Sequence, residues 1–495
     1  MKEDKFRCHP SIIAEKAGGL IAALFFIVIS SLDDIEEMII EGTNSELLLI
    51  ILGTFILLVF VVVYNVFIWS KTFISIEENT IVIQRNTIKS KINTYGAKNI
   101  SNINLEQNIF ERIMNTYKIK IDTDSLSTAN ATDIEIVLSK KDAYEFKNKV
   151  LNLMNSENIK NSNMKNENRA KNINENKQYD YLEEQIDYDI VYSTNDVLRH
   201  CFYNFSLLKF LVGLGMLAFA IFVSNEMDSF KEVITIILMA VPAFIYILKA
   251  FVGDLLKYYN FSIKRLEDKL YISYGLLKKS KFTIPINRIN AINIKQPILC
   301  RIFKKYQVDI DTIGMGDDKS EGSQILLCSN KEDLLKHMEI LLPEFNMNDN
   351  LILDRQPKNY WIIKIVETII CVVFTSLFLY FIYKLDIGAS TMLLVGIEIA
   401  IFLILFLIYY MSYITHGFHL GENNLAVAGG VFSKKISIIK YKKIQYINIR
   451  QSPISSKLNL CNADIYILAS LGNDMRILGY YNKSIFENLK NKILK

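Results

Sequence analysis

With 495 residues, 51% of them hydrophobic and 22% charged, the chain is too apolar for an ordinary soluble enzyme and too charged to lie wholly in a membrane. Gly 20, Pro 7 and Cys 6 exclude collagen-like, low-complexity and disulfide-rich classes. A net charge of only +4 does not mark a nucleic-acid binder. It points instead to apolar blocks alternating with polar ones.

Residues 1–71 hold the first pair of apolar runs, 17–32 and 47–69. A helix needs about 20 such residues to cross about 30 Å of hydrocarbon, so the pair predicts a membrane hairpin. The first run is short and must recruit Ile12 and Ile13 or let Lys16 reach the interface. A cleaved signal peptide is the alternative, but Ser30, Ser31 and Leu32 lead into an acidic stretch without a small-x-small site. A polar unit, 72–153, follows. It predicts strands at 73–76 and 81–83, a basic hairpin tip with Lys89 and Lys91, and a strand from Ile100 to Gln107. Ile109, Arg112 and Ile113, a strand at 119–122 and a helix opened by Ser139 and Asp142 complete it. The segment 154–198 is a linker, and the Asn-, Lys- and Glu-rich stretch 152–176 predicts a flexible tether. For the acidic, Tyr-rich stretch 179–192, packing against a neighbour and plain low-complexity drift are the two alternatives.

The order then repeats. Residues 199–256 carry a second apolar pair, 205–223 and 233–252, and 257–345 a second polar unit with tip residues Lys278, Lys279 and Lys281. Residues 346–415 carry a third pair, 361–383 and 391–414, and 416–495 a third unit with Lys434 and Lys435. Ile289 to Gln296 and Ile444 to Gln451 reproduce the spacing of Ile100 to Gln107. Ile298, Arg301 and Ile302, and then Ile454, Lys457 and Leu458, reproduce the segment after it. Ser329 with Glu332, and Asn482, are the expected caps of the closing helices.

Gln296-Pro297-Ile298 and Gln451-Ser452-Pro453-Ile454 resemble the bacterial pleckstrin-homology-like domain, as does Arg7-x-x-Pro10, echoed at Arg355 and Pro357. The three-unit layout over nearly the whole chain is similar to the YdbT-type family of bacterial membrane proteins. The first unit departs most, having Asn108 in place of Pro. The three apolar pairs predict a membrane protein with six transmembrane helices in three hairpins, and the resemblance implies the fold of the units that follow them. Each hairpin would be followed by a cytoplasmic antiparallel β-sandwich capped by a C-terminal helix. It also implies a smaller homologous membrane partner and a role in protection against membrane-active bacteriocins.

Orientation follows from basic charge, which stays in the cytoplasm. The connection 33–46 has six acidic residues and no Lys or Arg, and the other two connections contribute only Lys231 and Lys384. Both termini and all three polar units of this multi-pass protein are therefore expected in the cytoplasm. Six scattered cysteines show no metal-ligand spacing, and no nucleotide loop or nucleophile elbow is present. The chain is thus read as a non-enzymatic scaffold without cofactor or metal. The basic tips Lys89, Lys91, Lys278, Lys279, Lys281, Lys434 and Lys435 are the candidates for contact with lipid or partner. An anionic inner leaflet attracts each nearby Lys by about 1 kcal/mol, the alternative being solvated faces. Glu398 is the second outlier, roughly 10 Å from the outer end of the sixth expected span at 1.5 Å per residue. Thr375 and Ser376 lie at comparable depth and could hydrogen-bond it; a proton-coupled role, and with it a transporter or extrusion component, is the rival reading. Oligomeric state is not legible.

Overall fold

The computed structural model describes residues 4–15, 18–19, 45–77, 79–87, 89–123, 134–162, 187–224, 230–312, 323–345, 352–384, 390–469 and 472–493. Two compact units partition the chain. The first comprises Met1–Ser125, Thr132–Asp187 and Lys278–Lys281; the second comprises Leu126–Ala131, Tyr188–Leu277 and Phe282–Lys495.

In the first unit, β1 (Asp4–Phe6) precedes helix α1 (Ser45–Ser70). Strands β2 (Thr72–Glu77), β3 (Thr80–Asn86) and β4 (Ser90–Gly96) follow. They form an antiparallel sheet in the order β1-β2-β3-β4, so a strand from before the apolar runs pairs with one from after them. The contact is fixed at its base. Arg7 lies over the Trp69 ring at 4.2 Å and donates to Ser70 O at 3.2 Å, while Trp69 Nε1 donates to Cys8 O at 2.7 Å. The Arg of the Arg-x-x-Pro pattern thus satisfies a carbonyl at the end of α1. Strand β5 (Ile100–Gln107), short helix α2 (Ile109–Ile113), β6 (Thr116–Thr123), β7 (Ile134–Ser139) and helix α3 (Lys140–Ser162) complete the unit. Ala143, Phe146 and Val150, at helical spacing on α3, bury against Ile103, Ile119 and Ile136. Because α3 continues to Ser162, the first part of the expected tether is helical; the rest, 163–176, lies outside the described residues, as do 179–186 of the Tyr-rich stretch.

The second unit opens with β8 (Ile190–Val191), α4 (Thr194–Asn204), α5 (Leu207–Ser224) and α6 (Phe230–Tyr258). Strands β9 (Ser262–Leu266), β10 (Lys269–Tyr274), β11 (Lys279–Pro285) and β12 (Ile289–Gln296) precede short helix α7 (Ile298–Ile302). Then come β13 (Tyr306–Thr312), β14 (Gln324–Ser329) and α8 (Lys331–Leu341). The last repeat holds β15 (Asp354–Arg355), α9 (Tyr360–Lys384), α10 (Thr391–Thr415), β16 (Gly417–Leu420), β17 (Asn424–Gly429) and β18 (Lys434–Lys440). It ends with β19 (Ile444–Arg450), α11 (Pro453–Lys457), β20 (Leu460–Ala469), β21 (Gly472–Asn482) and α12 (Lys483–Ile493). Each of these two repeats is a bent antiparallel sandwich closed by a helix, as the resemblance implies. Ser329 is not the cap of α8: the N-cap is Asn330, without a side-chain hydrogen bond.

The two repeats share a sheet. Strand order β14-β13-β12-β18-β17-β16-β15 places β12 of one repeat beside β18 of the next. Ala291 pairs with Ile439, Asn293 with Ser437 and Gln296 with Lys434. Strands β17 and β18 are therefore covered on both faces. Ala426, Ala428, Ile436 and Ile438 enter the core of the preceding repeat, whereas Leu425, Val427 and Ile439 enter their own. Strands buried on both sides lose polar alternation, and at about 1.5–3 kcal/mol for each fully buried large apolar side chain the junction is a major stabilising element.

The repeated Gln has one job throughout. Gln107 Nε2 donates to Thr116 O at 2.9 Å, Gln296 Nε2 to Lys305 O at 3.1 Å and Gln451 Nε2 to Leu460 O at 3.1 Å. In each case it straps the end of one strand to the start of the next. The intervening short helix ends in a left-handed residue, Asn115, Lys304 or Asn459, each at φ 53°. Asn108 replaces the expected Pro by capping α2 with its side chain, which accepts from Glu111 N at 2.9 Å.

The six-span expectation is corrected. Among the described residues, two helices are long and apolar enough to cross a membrane, Tyr360–Phe381 and Thr391–Thr415. The pair Thr194–Asn204 and Lys209–Phe219 passes only jointly, across a 69° bend. Its first half packs on the sandwich instead: Val197 and His200 are buried, and Cys328 N donates to His200 Nδ1 at 3.2 Å. Within α1 and α6 the described apolar stretches, Phe55–Ser70 and Ala240–Lys249, are shorter than those two. Beyond Lys249, α6 docks inward, Asn204 Nδ2 donating to Asp254 Oδ2 at 2.7 Å. Except for Gly18 and Gly19, the expected span 17–32 lies outside the described residues.

Candidate functional site

At the foot of α10 the chain returns directly into the third sandwich, and the basic tip between β17 and β18 lies against that foot. Thr415 Oγ1 donates to Val431 O at 3.3 Å. The turn is tight: Gly430 has φ +118°, and a Cβ there would meet Ser433 O at 2.1 Å. Beyond it Phe432 is 45% exposed. Arg301, from α7, donates to Val431 O at 2.9 Å and to Phe432 O at 3.2 Å. Arg355 pairs in β15 with Gly417, two residues past the end of α10.

Three cations therefore converge beside an exposed aromatic ring. Burial holds the Lys434 ammonium below its ordinary pKa, and Arg301 and Arg355 depress it further. Such mutual repulsion falls when an anion is bound, so the group is electrostatically suited to one. The wall on the membrane side is aromatic. Trp361 stacks near Tyr413 at 5.5 Å and near Phe406 at 6.1 Å, and Lys364 lies over Tyr360, Tyr409 and Tyr480 at 5.0–5.7 Å. Gln356, buried beneath them, accepts from Tyr480 N at 3.0 Å and ties the entry of α9 to β21. Trp and Tyr at the end of an apolar helix mark a membrane–water boundary.

The other tip lysines diverge. Lys435 points inward, its pKa lowered by burial and by Arg476 against the pull of Asp311 and Asp309. Arg476 is buried, with Asp311 at 2.6 Å, Asp474 at 2.7 Å and Ser437 Oγ at 2.9 Å. Lys278, Lys279 and Lys281 group with the first unit. There Lys278 lies 3.0 Å from Glu106, and Lys281 donates to Tyr144 Oη at 2.8 Å. Burial, Lys281, Arg112 and Lys140 lower Lys279, so Arg112, at the position of Arg301 in its repeat, again stands near a tip lysine. Lys89 and Lys91 are exposed.

Within the helices, Glu398 Oε1 accepts from Thr375 Oγ1 at 2.8 Å and from Ser376 Oγ at 3.2 Å, joining α9 to α10. Glu398 Oε2 is buried with no hydrogen-bond partner. Arg301 figures in the sequence only as a repeat landmark, and Arg355 only as part of the Arg-x-x-Pro echo. Their shared spacing from the Gln and from the apolar run is the signal that could have singled them out.

The bacterial PH domain family matches three stretches, residues 24–154, 210–339 and 371–495. The chain belongs to the bacterial PH domain family. The UPF0699 transmembrane protein YdbT of Bacillus subtilis (strain 168) is 22% identical over 430 residues, which span 81% of this chain and 80% of that protein. The YdbT-type resemblance and the threefold repeat are thereby borne out. No solved structure matches the chain.

Proposed function

We propose that this bacterial PH domain protein is a non-enzymatic membrane scaffold whose sandwiches lie against an anionic lipid surface, held there by the α9–α10 hairpin. The observation that carries the reading is the convergence of Arg301, Arg355 and Lys434 beside Phe432 at the foot of α10. Each cation near an anionic surface contributes about 1 kcal/mol, and an inserted ring adds apolar burial. The charge pattern supports a cytoplasmic position for the basic foot, with both flanks of the hairpin on that side. The smaller partner and the protection against membrane-active peptides that the resemblance implies belong to this reading. Two candidate spans joined by one carboxylate lend no support to a transporter.

The test uses the full chain purified in mild detergent, with bound lipids counted by native mass spectrometry. Phosphatidylglycerol should be retained over phosphatidylcholine, and Arg355→Gln with Lys434→Gln should abolish the preference. Equal retention of both lipids by the parent chain would overturn the proposal. Loss of protection in a deletion strain, unrestored by that double variant, tests the physiological role.

A further inference from the structure

Among the strands that end a sheet, β4 and β19 are complementary. β4 closes the order β1-β2-β3-β4, and β19 opens the order β19-β20-β21. In the second unit, the junction β12–β18 shows what such strands do. β12 holds in its repeat the place that β19 holds in the third, from the shared Ile to the shared Gln. β18 holds the place of β4, since each ends at a 3-10 turn, Tyr441–Lys443 or Ala97–Asn99, directly before that Ile.

We propose that β19 of one chain adds antiparallel to β4 of a second copy, in the register of β12 on β18, so that copies associate head to tail. Carrying the internal register over, Ala291↔Ile439 becomes Tyr446↔Tyr95, and Asn293↔Ser437 becomes Asn448↔Asn93. Ile294↔Ile436 becomes Ile449↔Ile92, and Lys295↔Lys435 becomes Arg450↔Lys91.

Three observations support the pairing. Ile294 and Ile436 are 1% and 4% exposed, but their counterparts Ile449 and Ile92 are 46% and 60% exposed, each an apolar residue on an open edge. Uncovered apolar edge strands invite pairing with another chain. The polar positions also match: Asn293 Oδ1 accepts from Ser437 Oγ at 2.7 Å, and Asn448 would meet Asn93, which can donate to it in the same way. Finally, Asp309 forms an ion pair with Lys295 and also attracts Lys435. Its counterpart Asp464 pairs with Arg450 in the same way, and Lys91 would arrive there as the second cation in the place of Lys435. An interface of two different edges is heterologous, so it builds rings or open chains.

The test is cross-linking of co-expressed, differently tagged full-length chains in native membranes under mild oxidation. Asn93→Cys with Asn448→Cys, and Ile92→Cys with Ile449→Cys, should each give a mixed dimer well above either single variant, whereas Ile92→Cys with Tyr446→Cys should not. Independently, the detergent-solubilised parent should exceed the monomer mass, and Ile92→Lys or Ile449→Lys should reduce it to the monomer. A monomeric parent would overturn the proposal. So would Asn448→Cys linking only to itself, or a β19 edge that links only to a different protein.

Discussion

Replacing Arg476 with Met tests the shared sheet, because this guanidinium joins strands of both repeats. It is 8% exposed and reaches Asp311 at 2.6 Å, Asp474 at 2.7 Å and Ser437 Oγ at 2.9 Å. Breaking a buried pair by removing one partner costs about 3–5 kcal/mol, chiefly through the charge left behind. Here Asp311 is that charge, since Asp474 is 45% exposed and water can screen it. The lower end, about 3 kcal/mol, is therefore expected, which is roughly a hundredfold in the folded-to-unfolded ratio. Denaturant unfolding of the full chain in detergent, followed by fluorescence of Trp361, would measure it. Adding Asp311→Asn should recover a large part of the loss, because it removes the stranded charge. A loss under about 0.5 kcal/mol, or strictly additive single variants, would refute the reasoning.

Gln296→Ala removes a strap that a buried side chain makes to Lys305 O and should cost about 1–3 kcal/mol by denaturation. Gly430→Ala forces a left-handed turn against Ser433 O and should lower the melting temperature, whereas Gly396→Ala, with nothing within 4 Å, should leave it unchanged. Burial holds the His200 imidazole down at about 4, against the pull of Asp254. The unfolded chain takes up a proton below about 6.5 and the folded one only near 4, so stability is full above that window and falls by about 3 kcal/mol across it. Denaturation midpoints measured from neutral pH downward should show this slope in the parent, and His200→Gln should remove it.

Much of the fold is legible because its signals are local. The Ile-to-Gln spacing repeats because a Gln at that point must span a fixed helix and left-handed turn to reach the next strand. The sharing of a sheet is not local. Ala426, Ala428, Ile436 and Ile438 read as ordinary strand interior, and only their pairing partners show that one face belongs to another repeat. Arg476 is opaque for the same reason: an Arg in a strand reads as solvent-facing until Asp311 is brought to it from far along the chain. The apolar run 233–252 reads as a span because what docks it lies just beyond it, where Asp254 and Tyr258 anchor α6 in the sandwich. Of the tip lysines, charge alone could not separate Lys434, beside Arg301 and Arg355, from Lys435, turned inward one residue later.

The central claim, that the tip beside α10 rests in an anionic lipid surface, is tested most directly at Phe432. In nanodiscs containing phosphatidylglycerol, a Phe432→Trp chain should show fluorescence, beyond that of the parent, which brominated lipids quench and aqueous iodide does not. Quenching by iodide alone would place the tip in water and contradict the account.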